Sequence, residues 1–168
     1  MRCEMTPRDD ALRGLLKVLD AEYAAVYAYS VVGARLSGAR RAAATAAYDA
    51  HRARRDRLRA IISARGGSPT GSGPIYRLPF ALVTADDCVR LAALVEERVT
   101  AAYLELVAVE DATLRRMAAL AMQEGMVRAY AWRPEIPAFP GWPAKNSPSP
   151  SPSGATSSGA ASPTPTSD

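Results

Sequence analysis

Apolar positions along this chain recur every three or four residues and rarely alternate. Between residues 7 and 36, Leu12, Leu15, Leu19, Val26 and Tyr29 fall on one stripe. That spacing matches the 3.6-residue period of an amphipathic helix. It predicts a second helix over about 39–65 through Tyr48, Leu58 and Ile62. A third is expected from 85 to about 109 through Val89, Ala92, Val99, Tyr103 and Leu106, and a fourth over about 111–132 through Met117, Leu120 and Val127. The punctuation agrees. Thr6-Pro7 reads as an N-cap followed by a first-turn proline. "SGA" separates helices one and two, and Gly66-Gly67 ends helix two. Thr84 caps helix three, with Asp86 and Asp87 at its positive N-terminal end. Pro134 stops helix four.

Connection lengths then set the topology. The first and third connections are short, so helices one–two and three–four are antiparallel hairpins. The second, "GGSPTGSGPIYRLPFALVTADD", has about twenty residues, enough to run the length of a bundle. One long crossover between two helical hairpins is the ferritin-like arrangement. The expected fold is therefore all-α: a ferritin-like antiparallel four-helix bundle over residues 7–143, with one long crossover between helices two and three. Tyr76, Leu78 and Phe80 of "YRLPF" are expected to dock the crossover onto the bundle, and "IPAFPGWP" to pack back on it. Residues 144–168, rich in Ser, Pro and Thr, are expected to form a disordered tail, because they hold too little apolar bulk to offset their ordering entropy.

Composition sharpens this picture at a few points. The 48% hydrophobic content is enough for a core. Abundant alanine favours closely packed helices. Cys3 and Cys88 make no disulfide framework, the start lacks an apolar signal region, and no apolar run approaches the ~20 residues of a membrane span. A cytoplasmic protein without a membrane partner is expected. Between Arg40 and Arg65 stand eight arginines against Asp49 and Asp56. A basic stripe of this kind attracts phosphate. No nucleic-acid motif or interleaved aromatic platform accompanies it, so a solvated face or a contact for an acidic partner is expected instead of nucleic-acid binding. No nucleophile turn or phosphate-binding loop occurs, and whether the chain is an enzyme stays open. The alanine-rich face around Ala42 to Ala47 would suit a homodimer contact.

The chemistry sits inside the apolar stripes. Glu22, His51, Glu96 and Glu124 each fall at mid-height of a predicted buried face, with Glu97 beside the third. A buried charge without a partner costs several kcal/mol, so four at one level are expected to meet. Three carboxylates and one imidazole could hold one iron or manganese ion. Alternatively they form a hydrogen-bonded network, in which Arg55, one turn from His51, would bridge two carboxylates. A third possibility is an organic-ligand pocket lined by Tyr23, Tyr27, Tyr29, Tyr48 and Tyr103. Arg55 discriminates, because a guanidinium between Glu22 and Glu96 would exclude a metal.

"LDAEYAAVYAYSVVGARLSGARRAAATAAYDAHRARRDRLRAIISARG", then "YRLPF", then "LVEERVTAAY", resembles a ferritin-like family of unknown function, domain of unknown function 4439, over about residues 10–133. Di-iron proteins of the ferritin-like class supply Glu, Glu-x-x-His, Glu and Glu-x-x-His from successive helices. By that resemblance Glu22 and Glu96 stand at ligand positions. Tyr48-Asp49-Ala50-His51 carries Tyr in place of Glu, and Glu124-Gly125-Met126-Val127 carries Val in place of His. Relatives often have Glu-His where this chain has Glu22-Tyr23. An intact di-iron site is not expected. The resemblance implies a degenerate mid-bundle site, with Tyr48 as a nearby proton or electron donor if a metal binds. The alternative is a metal-free bundle that binds a partner or small ligand around a structural Glu/His/Arg network. The family resemblance supplies a fold and no reaction.

Overall fold

The computed structural model describes residues 6–69, 71 and 76–134. Cys3, the "IPAFPGWP" segment and the 144–168 tail lie outside the described residues, so the expectations placed on them are not addressed. Four helices follow one another: α1 (Pro7–Arg35), α2 (Gly38–Ala64), α3 (Ala85–Val107) and α4 (Ala112–Trp132). Among the described residues there is no strand, and no helix is long and apolar enough to cross a membrane.

The helix ends form for local reasons. Thr6 and Asp9 close a capping box at α1, with Pro7 in the first turn. Thr84 and Asp87 make the same box at α3. The Asp111 carboxylate accepts from the amides of Thr113 and Leu114 at 2.8 and 3.0 Å and so starts α4. At the end of α2 the chain reverses through Gly66 at φ +76°, a left-handed conformation that favours glycine. Arg65 pairs with Asp111 at 2.6 Å, and Arg8 donates to the Arg65 carbonyl at 2.6 Å. These contacts tie together the bundle end where α1 starts, α2 stops and α4 starts.

α1 packs against α2 and α3, and α3 packs against α4. Pairings between α1 and α3 run in opposite order: Lys17 with Glu105, Glu22 with Tyr103, Tyr29 with Glu96. Pairings between α2 and α3 run in the same order: Arg40 with Asp86, His51 with Glu96. Tyr76, Leu78 and Phe80 pack on the core from the connecting segment, as expected, and Arg90 lies 3.9 Å from the centre of the Phe80 ring.

The core has two apolar halves. One gathers Leu15, Leu19, Leu58, Ile62, Leu106 and Leu114. The other gathers Val32, Leu36, Ala44, Ala47, Cys88 and Leu91. Between them lies a polar layer of Glu22, His51, Glu96 and Thr100, all 0% exposed.

One face departs from the sequence expectation. α4 was expected to bury Met117, Leu120, Glu124 and Val127. It buries Leu114, Ala118, Ala121, Gly125 and Ala129 instead, leaving Leu120 50% and Val127 65% exposed. From Ala118 through Gly125 the buried positions stand one residue after the expected ones, a rotation of about 100° at 3.6 residues per turn. Small residues let α4 approach α3 closely. A Cβ added at Gly125 would lie only 2.6 Å from Thr100 Oγ1. Leu120 and Val127 would prevent that approach and face outward, whereas Leu114 is buried in the first turn of the helix.

Candidate functional site

Glu22 on α1 and Glu96 on α3 each stand seven residues before a tyrosine, Tyr29 and Tyr103. Seven residues is close to two helical turns, so each Glu and Tyr share a face. Because α1 and α3 are antiparallel, each carboxylate meets the other helix's tyrosine. Tyr103 donates to Glu22 Oε1 at 2.8 Å, and Tyr29 donates to Glu96 Oε1 at 2.8 Å. His51 of α2 fills the space between the two acids. Its Nδ1 lies 2.6 Å from Glu22 Oε2 and its Nε2 lies 3.1 Å from Glu96 Oε1. Its ring stacks on Tyr29, centroids 5.4 Å apart. Trp132 donates its indole N–H to the Tyr29 hydroxyl at 2.9 Å.

A neutral imidazole has one N–H, whereas two carboxylates here each face a ring nitrogen, so both contacts are hydrogen bonds only in the imidazolium. Burial disfavours that charge, but hydrogen bonds and attraction from Glu22 and Glu96 outweigh it and raise the His51 pKa. Burial likewise works against the Glu96 carboxylate. Hydrogen bonds from His51 and Arg128 overcome it and lower the Glu96 pKa. Burial, reinforced by the adjacent acids, holds the hydroxyls of Tyr29 and Tyr103 protonated far above the ordinary tyrosine range, so both remain donors. The Arg128 Nε donates to Glu96 Oε1 at 2.8 Å. Glu22 and Glu96 thus face the His51 ring, whose charged form they favour, and Glu96 also faces the Arg128 guanidinium.

The titrations give a stability profile with a definite sign. The raised His51 pKa contributes stability that is fully present below about pH 6.5 and is lost as pH rises through the folded-state value. The lowered Glu96 pKa contributes stability present above about pH 4.5 and lost as pH falls through its folded-state value. The acid side is shared with Asp9, Asp87 and Asp111, whose pKa values are lowered chiefly by hydrogen bonds from Thr6, Thr84 and Arg65 respectively. The first alkaline loss, before the tyrosines and Cys88 titrate, belongs to His51. Urea midpoints from pH 4 to 9 should form a plateau that declines at both ends. The loss between neutrality and pH 9 should vanish in His51→Gln; its persistence there would refute the imidazolium.

Of the residues singled out in the sequence, Glu22, His51 and Glu96 meet, and Tyr29 and Tyr103 join them. The others stand elsewhere. Glu124 is exposed, because α4 is rotated, and it pairs with Arg54 and lies 3.8 Å from Arg128. Arg55 does not bridge the acids: it pairs with Asp56 at 2.8 Å and lies over the Tyr23 ring. Tyr23 is buried, and its hydroxyl accepts from Arg59. Tyr27 stacks obliquely on Tyr76, 5.8 Å away. Tyr48 packs against the second apolar half, with Arg52 over its ring. Glu97 is half-buried on α3, outside the cluster. His51 itself takes the place between Glu22 and Glu96 that was expected of Arg55, and Arg128 adds a guanidinium to Glu96. No sequence signal pointed to it, since its side chain reaches Glu96 only after α4 turns its alanine and glycine face inward.

The donor set does not fit a metal ion as it stands. Both Glu22 oxygens and both His51 nitrogens are engaged, and Glu96 Oε1 has three partners. Among the described residues, no group of three His, Cys, Asp or Glu side chains is arranged to hold a metal. Glu96 Oε2 and Thr100 Oγ1 are buried without a hydrogen-bond partner among the described residues.

A comparison with curated proteins finds no match. Among solved structures, the chain is similar to a conserved hypothetical protein, Rv2844, from Mycobacterium tuberculosis. The two share 30% identity and a TM-score of 0.71, over 74% of this chain and 96% of that one. The family described as Domain of unknown function (DUF4439) matches residues 14–144. That span takes in all of α2, α3 and α4 and most of α1, including every member of the buried Glu–His–Glu layer, and the chain belongs to this DUF4439 family.

Proposed function

We propose that this protein is a ferritin-like bundle without metal chemistry, acting in the cytoplasm as a binding module around a structural Glu22–His51–Glu96 network. The ferritin-like reading is supported by helix direction. α2 and α3 run the same way, so the connection between them has to return along the bundle, the connectivity of that class. The metal-free reading is carried by one observation: both nitrogens of His51 are committed to carboxylates. Arg128 adds a fixed cation at the same oxygen of Glu96, where a metal ion would be repelled.

One observation favours the rival single-metal reading, which is that Glu96 Oε2 is buried with no hydrogen-bond partner among the described residues. Metal analysis separates the two. After anaerobic loading with iron or manganese and desalting, the wild type and His51→Ala are both expected to hold only background metal. About one ion per chain in the wild type, lost in His51→Ala, would overturn the metal-free reading and establish a single-ion centre. The partner is a separate matter. Ala42 and Ala46 are exposed on α2 and suit a second copy, which sedimentation velocity would register as a dimer.

A further inference from the structure

We propose that the groove between the second half of α2 and the first half of α4 binds a small amphiphile, an acyl chain ending in a single carboxylate. This inference rests on the binding-module reading and names its ligand class. The groove has a volume of about 320 Å³, within the range of small-molecule sites. Its floor is apolar, formed by Leu58, Ile61, Leu114 and Met117, with Leu120 half-exposed at the edge. Its rim carries Arg54, Arg57, Arg65 and Arg116 against one acid, Glu124.

The rim cations are unevenly satisfied. Arg65 is paired with Asp111 and Arg54 with Glu124. Arg57 and Arg116 are exposed and have no ion-pair partner among the described residues. The Arg54 side chain is only 15% exposed, and its Nη1 is buried with no hydrogen-bond partner among the described residues. A buried donor left unmet is costly, and an incoming anionic head would satisfy it. A wholly apolar ligand would leave these cations uncompensated, and inorganic phosphate would leave the apolar floor wet. A single anion carried on an acyl chain satisfies both parts. The ring of Tyr103 also lines the groove, and its hydroxyl reaches Glu22, so a bound chain would lie directly beside the buried network.

Calorimetric titration of the full chain with sodium decanoate tests this proposal. Saturable one-to-one binding is expected, weakened at least tenfold in Arg57→Gln/Arg116→Gln; both arginines are exposed and without an ion-pair partner among the described residues, so the melting temperature should stay unchanged. Decyltrimethylammonium and inorganic phosphate should show no comparable binding. Absence of decanoate binding, equal binding of the cationic surfactant or of phosphate alone, or full affinity in the double variant would each overturn the proposal. So would loss of affinity in Arg98→Gln instead, because Arg98 lines a different cavity, between α1 and α3. Metal analysis of the same preparation keeps the outcomes apart. A failed titration with background metal overturns the groove alone, and a bound ion lost in His51→Ala overturns the metal-free reading.

Discussion

His51→Leu is expected to cost about 3–5 kcal/mol of folding stability at neutral pH, the scale for breaking a buried ion pair by removing one partner. The ring is 0% exposed and is shared by two carboxylates that are also 0% exposed. Leucine supplies comparable bulk, so the loss comes mainly from desolvated charge and only slightly from a cavity. Glu22 keeps its bond from Tyr103, and Glu96 keeps those from Tyr29 and Arg128, but each loses the partner it had in His51. Without His51, one of the hydrogen bonds that lower the Glu96 pKa is gone and burial is less opposed, so the variant should lose less stability than the wild type as pH falls. Urea denaturation at pH 5 and pH 7.5 measures this. A loss under about 1 kcal/mol at pH 7.5, below the expected ion-pair scale, would show that the layer is not held by the imidazolium.

Gly125→Leu is expected to cost about 3 kcal/mol, at the upper end for overpacking, because the new side chain must enter the closest approach of α4 to α3. Its first carbon alone would lie 2.6 Å from Thr100 Oγ1 and 3.7 Å from Glu96 Oε2. To admit the rest, α4 must move away, which also draws Arg128 from Glu96. Gly125→Ala should cost less, since a mid-helix alanine regains about 1 kcal/mol over glycine. Thr100→Ala removes the colliding oxygen, so Gly125→Ala/Thr100→Ala should be more stable than Gly125→Ala alone. Thermal melts of the four proteins decide the matter. Equal stability of Gly125→Leu and wild type would mean that the α3–α4 contact is not tight at this position.

The sequence by itself determined the four helices and their limits. Capping residues and glycines act within one or two turns of their own position, so Thr6, Thr84, Asp111 and Gly66 mark the same ends in the chain and in the fold. It also placed Glu22, His51 and Glu96 at one level, because strong apolar stripes on α1, α2 and α3 fix which side faces inward. The equal seven-residue spacing from Glu22 to Tyr29 and from Glu96 to Tyr103 held the tyrosine bonds as well, once the antiparallel order of α1 and α3 was known. α4 was different. Leu120 and Val127 marked one face by hydrophobicity, while Ala118, Ala121 and Gly125 marked another by size, and local pattern has no means of ranking the two. Only the tertiary structure decided, because close approach to α3 rewards small side chains by packing that exists only when both helices are present. That rotation by about one residue placed Glu124 outside, brought Arg128 to Glu96, and opened the arginine-rimmed groove against α2.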